Sequence, residues 1–265
     1  MIGAIYGDVL GSIYESWIFQ DAIVNKTDIR LFSSAALFTD DTVLTVAIAD
    51  AIIENKPYTD KIIEWFNKYP NRGYGSSFVE WISEYKNNPK FRNNSYGNGA
   101  MMRVSPIAYA FDDLKTAEKN AIEQSEFTHN HEESYIGVKA IVSAVWLAKR
   151  NFSKDEIKKY IENTFGYDLN KTIQEVRDTF DHRTTRCSIT CPQALIVFLQ
   201  SESFEDTILN AIYSKGDCDT IAAIAGSIAY PYYKYNVPDN IKNFVFSKLP
   251  PDMLLVIDKF NKKFL

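Results

Sequence analysis

Apolar residues recur three and four positions apart along most of this chain, the spacing that gathers them on one face of an α-helix. The pattern is clear in 41–53 (DTVLTVAIADAII), 133–149 and 220–230. It extends to 60–68, 76–86, 114–124, 154–164, 192–200, 204–213, 239–247 and 252–263. Start signals precede several runs. Thr39 and Asp40 stand before the first, Ser153 and Glu156 form a capping-box pattern, and Pro192 sits where a first-turn proline would, after Cys191. No alternating run is bounded by hairpin turns. The spacing predicts an all-α fold, an orthogonal bundle of roughly a dozen short helices. Loops are expected at 17–38, 69–75, 87–99 and 165–189. The most polar and turn-rich stretch is KNNPKFRNNSYGNG, residues 86–99.

No linker, repeat or low-complexity tract divides the 265 residues, so 1–265 reads as one domain, large enough to bury a core without staples. Net charge is −5, which argues against a nucleic-acid partner held by a broad basic face. The three cysteines, Cys187, Cys191 and Cys218, give neither a disulfide framework nor a zinc ligand set. The N-terminal MIGAIYGDVLGSIYESW lacks a basic leader and is interrupted by Asp8 and Glu15. The expectation is a cytoplasmic protein with no membrane partner.

Two acidic clusters change the picture. Phe38-Thr39-Asp40-Asp41-Thr42 and Gly216-Asp217-Cys218-Asp219-Thr220 each lie just before an apolar helical run. The ordinary reading is helix capping. One cap needs only one acid, however, and paired carboxylates repel. A doubled acidic start occurring twice favours a hard divalent cation on carboxylate and hydroxyl oxygens. Gly3, Gly7 and Gly11 line one face of a first helix, at about 1 kcal/mol each relative to alanine. That stripe fits either tight helix packing or close approach to a ligand. Asp8 and Glu15, seven residues apart, project from a common side, and Glu15 could ligate a metal or act as acid and base.

Arg72-Gly73-Tyr74-Gly75-Ser76-Ser77 precedes a helical run and could form an anion nest. Ser95-Tyr96-Gly97-Asn98-Gly99 permits close backbone approach, with Asn98 offering both a donor and an acceptor. Either could equally be a turn. His129 and His131 lie in FTHNH, a polar stretch without further zinc ligands.

Taken in order, GDVLGSIYE (7–15), FTDDT (38–42), NRGYGSS (71–77), SYGNGAMMRVSPI (95–107), FTHNH (127–131) and GDCDTIAAIAGSIA (216–229) resemble the ADP-ribosylglycohydrolase family. The resemblance implies an all-α bundle around a cleft holding two Mg²⁺ or Mn²⁺. By that likeness the metal ligands are Thr39, Asp40, Asp41, Asp217, Asp219 and Thr220, and Asp41 and Glu15 are the catalytic carboxylates. Gly73, Ser76, Ser95, Tyr96, Gly97, Asn98, Gly99 and His129 fall in the substrate-binding segments. The implied reaction is metal-dependent hydrolysis of the glycosidic bond between ADP-ribose and an acceptor. The implied partner is an ADP-ribosylated protein, on arginine or serine, or another ADP-ribose conjugate, met by a monomer. The other reading is a non-catalytic ADP-ribose-binding or structural member. The chain departs from the family pattern at Lys215, where a glycine is usual, and at Ala229-Tyr230-Pro231-Tyr232-Tyr233-Lys234.

Overall fold

A computed structural model describes residues 1–179 and 184–265, and only the backbone of Trp17. Residues 180–183, within the expected 165–189 loop, lie outside the described residues. The helices in chain order are α1 (Ile2–Gly11), α2 (Trp17–Asp21), α3 (Asp40–Glu54), α4 (Tyr58–Lys68), α5 (Ser76–Asn87), α6 (Gly99–Met102), α7 (Ser105–Ala110) and α8 (Leu114–Glu123). They continue with α9 (Glu132–Lys149), α10 (Lys154–Phe165), α11 (Ile173–Asp178), α12 (Cys187–Gln200), α13 (Phe204–Tyr213), α14 (Cys218–Tyr232), α15 (Asp239–Lys248) and α16 (Pro251–Phe264). Among the described residues no strand forms, and one isolated bridge pairs Gly97 with Arg186.

The fold is all-α, and every run with helical spacing lies in a helix. Periodicity missed α1, which is buried on every side and was read from its glycine stripe, and α2, α6, α7 and α11, which are short, with too few turns for a repeat to register. The capping box at Ser153 and Glu156 forms as expected.

Pro192 departs from expectation, because α12 begins at Cys187 and the proline lies inside it. The cause is tertiary. Residues 184–186 run beside 96–98, where the Cys187 N–H donates to the Tyr96 carbonyl at 2.9 Å and the Asn98 N–H to that of Thr185 at 2.8 Å. This pairing starts the helix early, and Pro192 leaves the Ser188 carbonyl without its helical donor.

The axis of the molecule is α14, buried from Cys218 to Pro231 and packed by α1, α9, α12 and α13. Its contact with α1 is backbone to backbone. A Cβ at Gly3 would stand 2.2 Å from the Gly226 carbonyl oxygen, one at Gly7 2.1 Å from that of Ala222, and one at Gly11 2.7 Å from the Asp219 Cα. The glycine stripe is therefore a packing face: the two helices run antiparallel with small residues in register. On its other sides α1 meets α3 and α15, and α3 packs on α4 and α16. No helix among the described residues is long and apolar enough to cross a membrane.

Candidate metal centre and active site

The close approach of α1 and α14 brings three helices' acids together. Asp8 projects from α1 and is fully buried. Its carboxylate accepts the Thr39 N–H and the Thr42 N–H, each at 3.0 Å, and the Thr39 hydroxyl at 2.7 Å. The free N–H groups and the positive end of α3 thus point at a charge supplied by α1. Asp8, Asp41 and Asp219 offer oxygens that all lie within 4.8 Å of one another, as do Glu15, Asp217 and Asp219. The two acidic stretches, far apart in sequence, share one wall-to-wall cluster.

Capping does not account for these acids. At the start of α3 the side-chain cap is Thr39, which accepts from the Asp41 N–H at 3.3 Å. At the start of α14 Asp217 makes no capping bond and instead accepts the Asn98 side-chain amide at 2.7 Å. Asp41 Oδ2 accepts the Thr220 hydroxyl at 3.0 Å, while Asp41 Oδ1 is buried without a partner. A buried, unpaired carboxylate oxygen carries the full cost of its lost hydration unless something positive binds it.

The electrostatics agree. Burial, then Asp8, Asp40 and Asp217, push Asp41 well above the usual carboxylate range. Burial, then Asp217, Asp41, Glu15 and Asp8, do the same to Asp219. Asp40 is raised by burial, then by Asp8 and Asp217. Burial also raises Asp8, against the pull of its hydrogen bonds from Thr42 and Thr39. Glu15, at the solvent-open rim, is raised by partial burial, then by Asp217 and Asp8. Oxygen-only donors at mutual distances that one small ion can bridge fit Mg²⁺ or Mn²⁺ by donor chemistry.

A cavity of about 190 Å³ opens above the cluster. Its walls include Glu15, Asp40, Asp41, Asp217, Asp219 and Thr220, together with Gly73, Ser95, Gly97, Asn98, Gly99 and His129. Three residues singled out from sequence do not line it. Thr39 lies beneath, on Asp8; Ser77 rather than Ser76 reaches the wall; and Tyr96 is half exposed, with the Arg186 guanidinium 4.8 Å from its ring centre. Gly73 is held at φ 90°, a conformation that favours glycine, and its loop is tied to α3 by the Asp40 N–H on the Arg72 carbonyl at 2.7 Å.

The profile of the ADP-ribosylglycohydrolase family matches residues 1–246. The chain belongs to the ADP-ribosylglycohydrolase family. It is 25% identical to ADP-ribosylhydrolase ARH3 of Homo sapiens, over 88% of this chain and 84% of that protein. It is 24% identical to ADP-ribosylarginine hydrolase Tri1 of Pseudomonas putida, over 88% and 69%. A solved structure described as an ADP-ribosylglycohydrolase-related protein complex shares the fold. The TM-score is 0.74 at 18% identity, covering 100% of this chain and 96% of that one.

Two residues of this family member were not assigned to the site from sequence. Asp8 was visible only as an acid within an otherwise apolar helix, and that isolation was the signal. Gln20 gave none. Its buried amide donates to the Tyr14 and Gly216 carbonyls, both at 2.6 Å, and accepts the Gly216 N–H at 3.0 Å. It staples the turn carrying Glu15 to the loop carrying Asp217. Lys215 adopts φ 64° where the family usually has glycine, and its amine pairs with Asp21 at 2.9 Å rather than lining the cavity.

Proposed function

We propose that this chain is a metal-dependent hydrolase that cleaves the glycosidic bond joining ADP-ribose to an acceptor. The observation that carries the reading is the buried carboxylate cluster of α1, α3 and α14, with its unpartnered Asp41 Oδ1, at the floor of a cavity walled by two glycine loops. The family match and the names of the relatives, hydrolases of ADP-ribose linkages, support it.

In this reading Asp40, Asp41, Asp217, Asp219 and Thr220 hold two Mg²⁺ or Mn²⁺, with Thr39 and Asp8 beneath them. Bound there, the cations supply positive charge and Lewis acidity at the distal ribose. The backbone of Gly73 and of Gly97–Gly99 takes the diphosphate, since glycine lets phosphate oxygens come close to backbone N–H groups. Asn98, fixed by its bonds to Asp217 and Thr190, sets the distance between that loop and the cluster.

The bond between the anomeric carbon and the acceptor atom breaks, and a water oxygen takes its place. Glu15 is the proton carrier: it is solvent-open and stands beside the cluster, within reach of Asp217 and Asp219. It protonates the leaving acceptor and takes back the proton that the attacking water sheds, while Asp41 orients that water. The partner is an ADP-ribosylated protein or smaller conjugate, met in the cytoplasm by a monomer of one domain.

A panel of arginine-, serine- and polymer-linked ADP-ribose, each incubated with Mg²⁺, with Mn²⁺ and with chelator, tests the activity. Metal-dependent release of ADP-ribose from at least one substrate is the expected result. Binding of ADP-ribose without turnover of any would favour the non-catalytic reading.

A further inference from the structure

His129 stands on a short chain of hydrogen bonds that the reaction scheme above does not use. Arg103, fully buried, donates from Nε to Gln124 Oε1 at 2.7 Å and from Nη2 to the Gln124 carbonyl at 3.0 Å. The same Nη2 donates to Thr128 Oγ1 at 2.7 Å. Gln124 is itself pinned, its amide donating to the Ala100 and Ala121 carbonyls at 3.0 and 3.1 Å. Thr128 Oγ1 in turn lies 2.8 Å from His129 Nδ1.

The protons on this chain can be counted. A guanidinium only donates, so Thr128 Oγ1 accepts from Arg103. The hydroxyl has one proton to place. The alternative acceptor, the Ser125 carbonyl, is 3.5 Å away and already accepts the Thr128 and His129 N–H groups at 3.0 and 2.7 Å. The hydroxyl proton therefore goes to Nδ1, and the ring proton sits on Nε2. A buried imidazole beside a guanidinium stays neutral, and burial, then Arg103, hold it well below the usual histidine range. Among the described residues nothing accepts from Nε2. It faces the cavity beside the glycine loop, where a Cβ on Gly99 would meet it at 3.1 Å and one on Gly97 at 3.8 Å.

We propose that Arg103 and Thr128 are positioning residues that lock His129 in its Nε2–H form, so that the imidazole offers one neutral N–H donor to an oxygen of ADP-ribose. This rests on the reading of the cavity as an ADP-ribose site, but the tautomer is a property of the free protein. Thr128 does not line the cavity, and Arg103, which does, spends Nε and Nη2 on this chain. Each acts through His129, and the site is thereby tuned for an acceptor oxygen, such as a diphosphate or ribose oxygen, at Gly97–Gly99.

Two-bond nitrogen–proton spectra of ¹⁵N-labelled protein without ligand distinguish the tautomers, with His129→Gln identifying the signal. The wild type is expected to show Nε2–H at neutral pH. Thr128→Val keeps the shape but removes the hydroxyl, and should mix the tautomers and weaken ADP-ribose binding about 10-fold. Thr128→Ser should restore both. An Nδ1–H wild type overturns the proposal, even if the valine variant fails to fold. So does a Thr128→Val protein with unchanged tautomer and affinity. A wild type that shows Nε2–H yet does not bind ADP-ribose overturns the ligand assignment, which is the failure of the site reading rather than of the hydrogen-bond chain.

Discussion

Adding one methyl group at Gly7 perturbs the contact on which the whole cluster rests. The new Cβ would stand 2.1 Å from the Ala222 carbonyl oxygen, 2.2 Å from its carbon and 2.5 Å from the Ala223 nitrogen. Those atoms are α14 backbone, so no rotamer change relieves the clash, and the helices must part by roughly 1 Å. Overpacking of this kind costs about 1–3 kcal/mol, and a rigid obstacle puts Gly7→Ala near the upper end. Alanine's better helix propensity returns about 1 kcal/mol, leaving a net loss of about 2 kcal/mol. In a chain of this size that lowers Tm by roughly 4–8 °C.

The same parting moves Asp8, the next residue, and with it the start of α3 that Asp8 holds through Thr39 and Thr42, away from Asp219, so the ligands on α3 and α14 separate. Ion–oxygen distances near 2.0–2.1 Å tolerate little of this, so Mn²⁺ affinity should fall at least about 10-fold. Gly75→Ala is the control, because nothing lies within 4 Å of its Cβ position, and it should change stability by no more than about 0.5 kcal/mol. Thermal melts and Mn²⁺ titrations of both variants decide the matter. A Gly7→Ala protein as stable and as metal-competent as Gly75→Ala would refute the packing argument.

Three further outcomes are expected. Asp41→Asn should lower turnover by at least about 10²-fold, because it removes a cavity-facing charge, while leaving the metal-free protein at least as stable in thermal melts as the wild type. The raised carboxyls of Asp8, Asp40, Asp41 and Asp219 bind protons more tightly folded than unfolded. Stability of the metal-free protein should therefore fall as pH rises from the ordinary carboxylate range, about 4, towards neutrality, and added Mg²⁺ should raise Tm at neutral pH far more than in acid. Lys215→Gly exchanges a left-handed lysine for a residue that tolerates that backbone and loses a half-exposed ion pair, so stability should stay within about 1 kcal/mol. Its kcat/KM should be unchanged in the release assay; a 10-fold drop would give the amine a role at the substrate.

The helices were legible in the sequence wherever they run long enough to repeat their apolar positions, as α3, α9 and α14 do. Clusters at helix starts were legible as well, because two adjacent acids exceed what a cap requires. What the sequence left open was decided by contacts between distant segments. The Gly3, Gly7 and Gly11 stripe fits two readings until α14 is seen against it. The start of α12 depends on pairing with residues 96–98, and Gln20 bonds to a residue 196 positions away. Neither leaves a local trace. Asp8 was legible as an acid sharing a side with Glu15, but neither its burial nor its place in the cluster was, since its partners sit on α3 and α14.

In the proposed function the acids of α1, α3 and α14 form one cation-holding pocket. Mn²⁺ binding followed by electron paramagnetic resonance on the intact protein tests it without reference to any substrate. Saturable loss of the free-ion signal is expected with the wild type, and little or none with an Asp41→Asn, Asp219→Asn double variant that still melts cooperatively. Free Mn²⁺ in the presence of excess wild type, or binding by the double variant equal to the wild type, would contradict it.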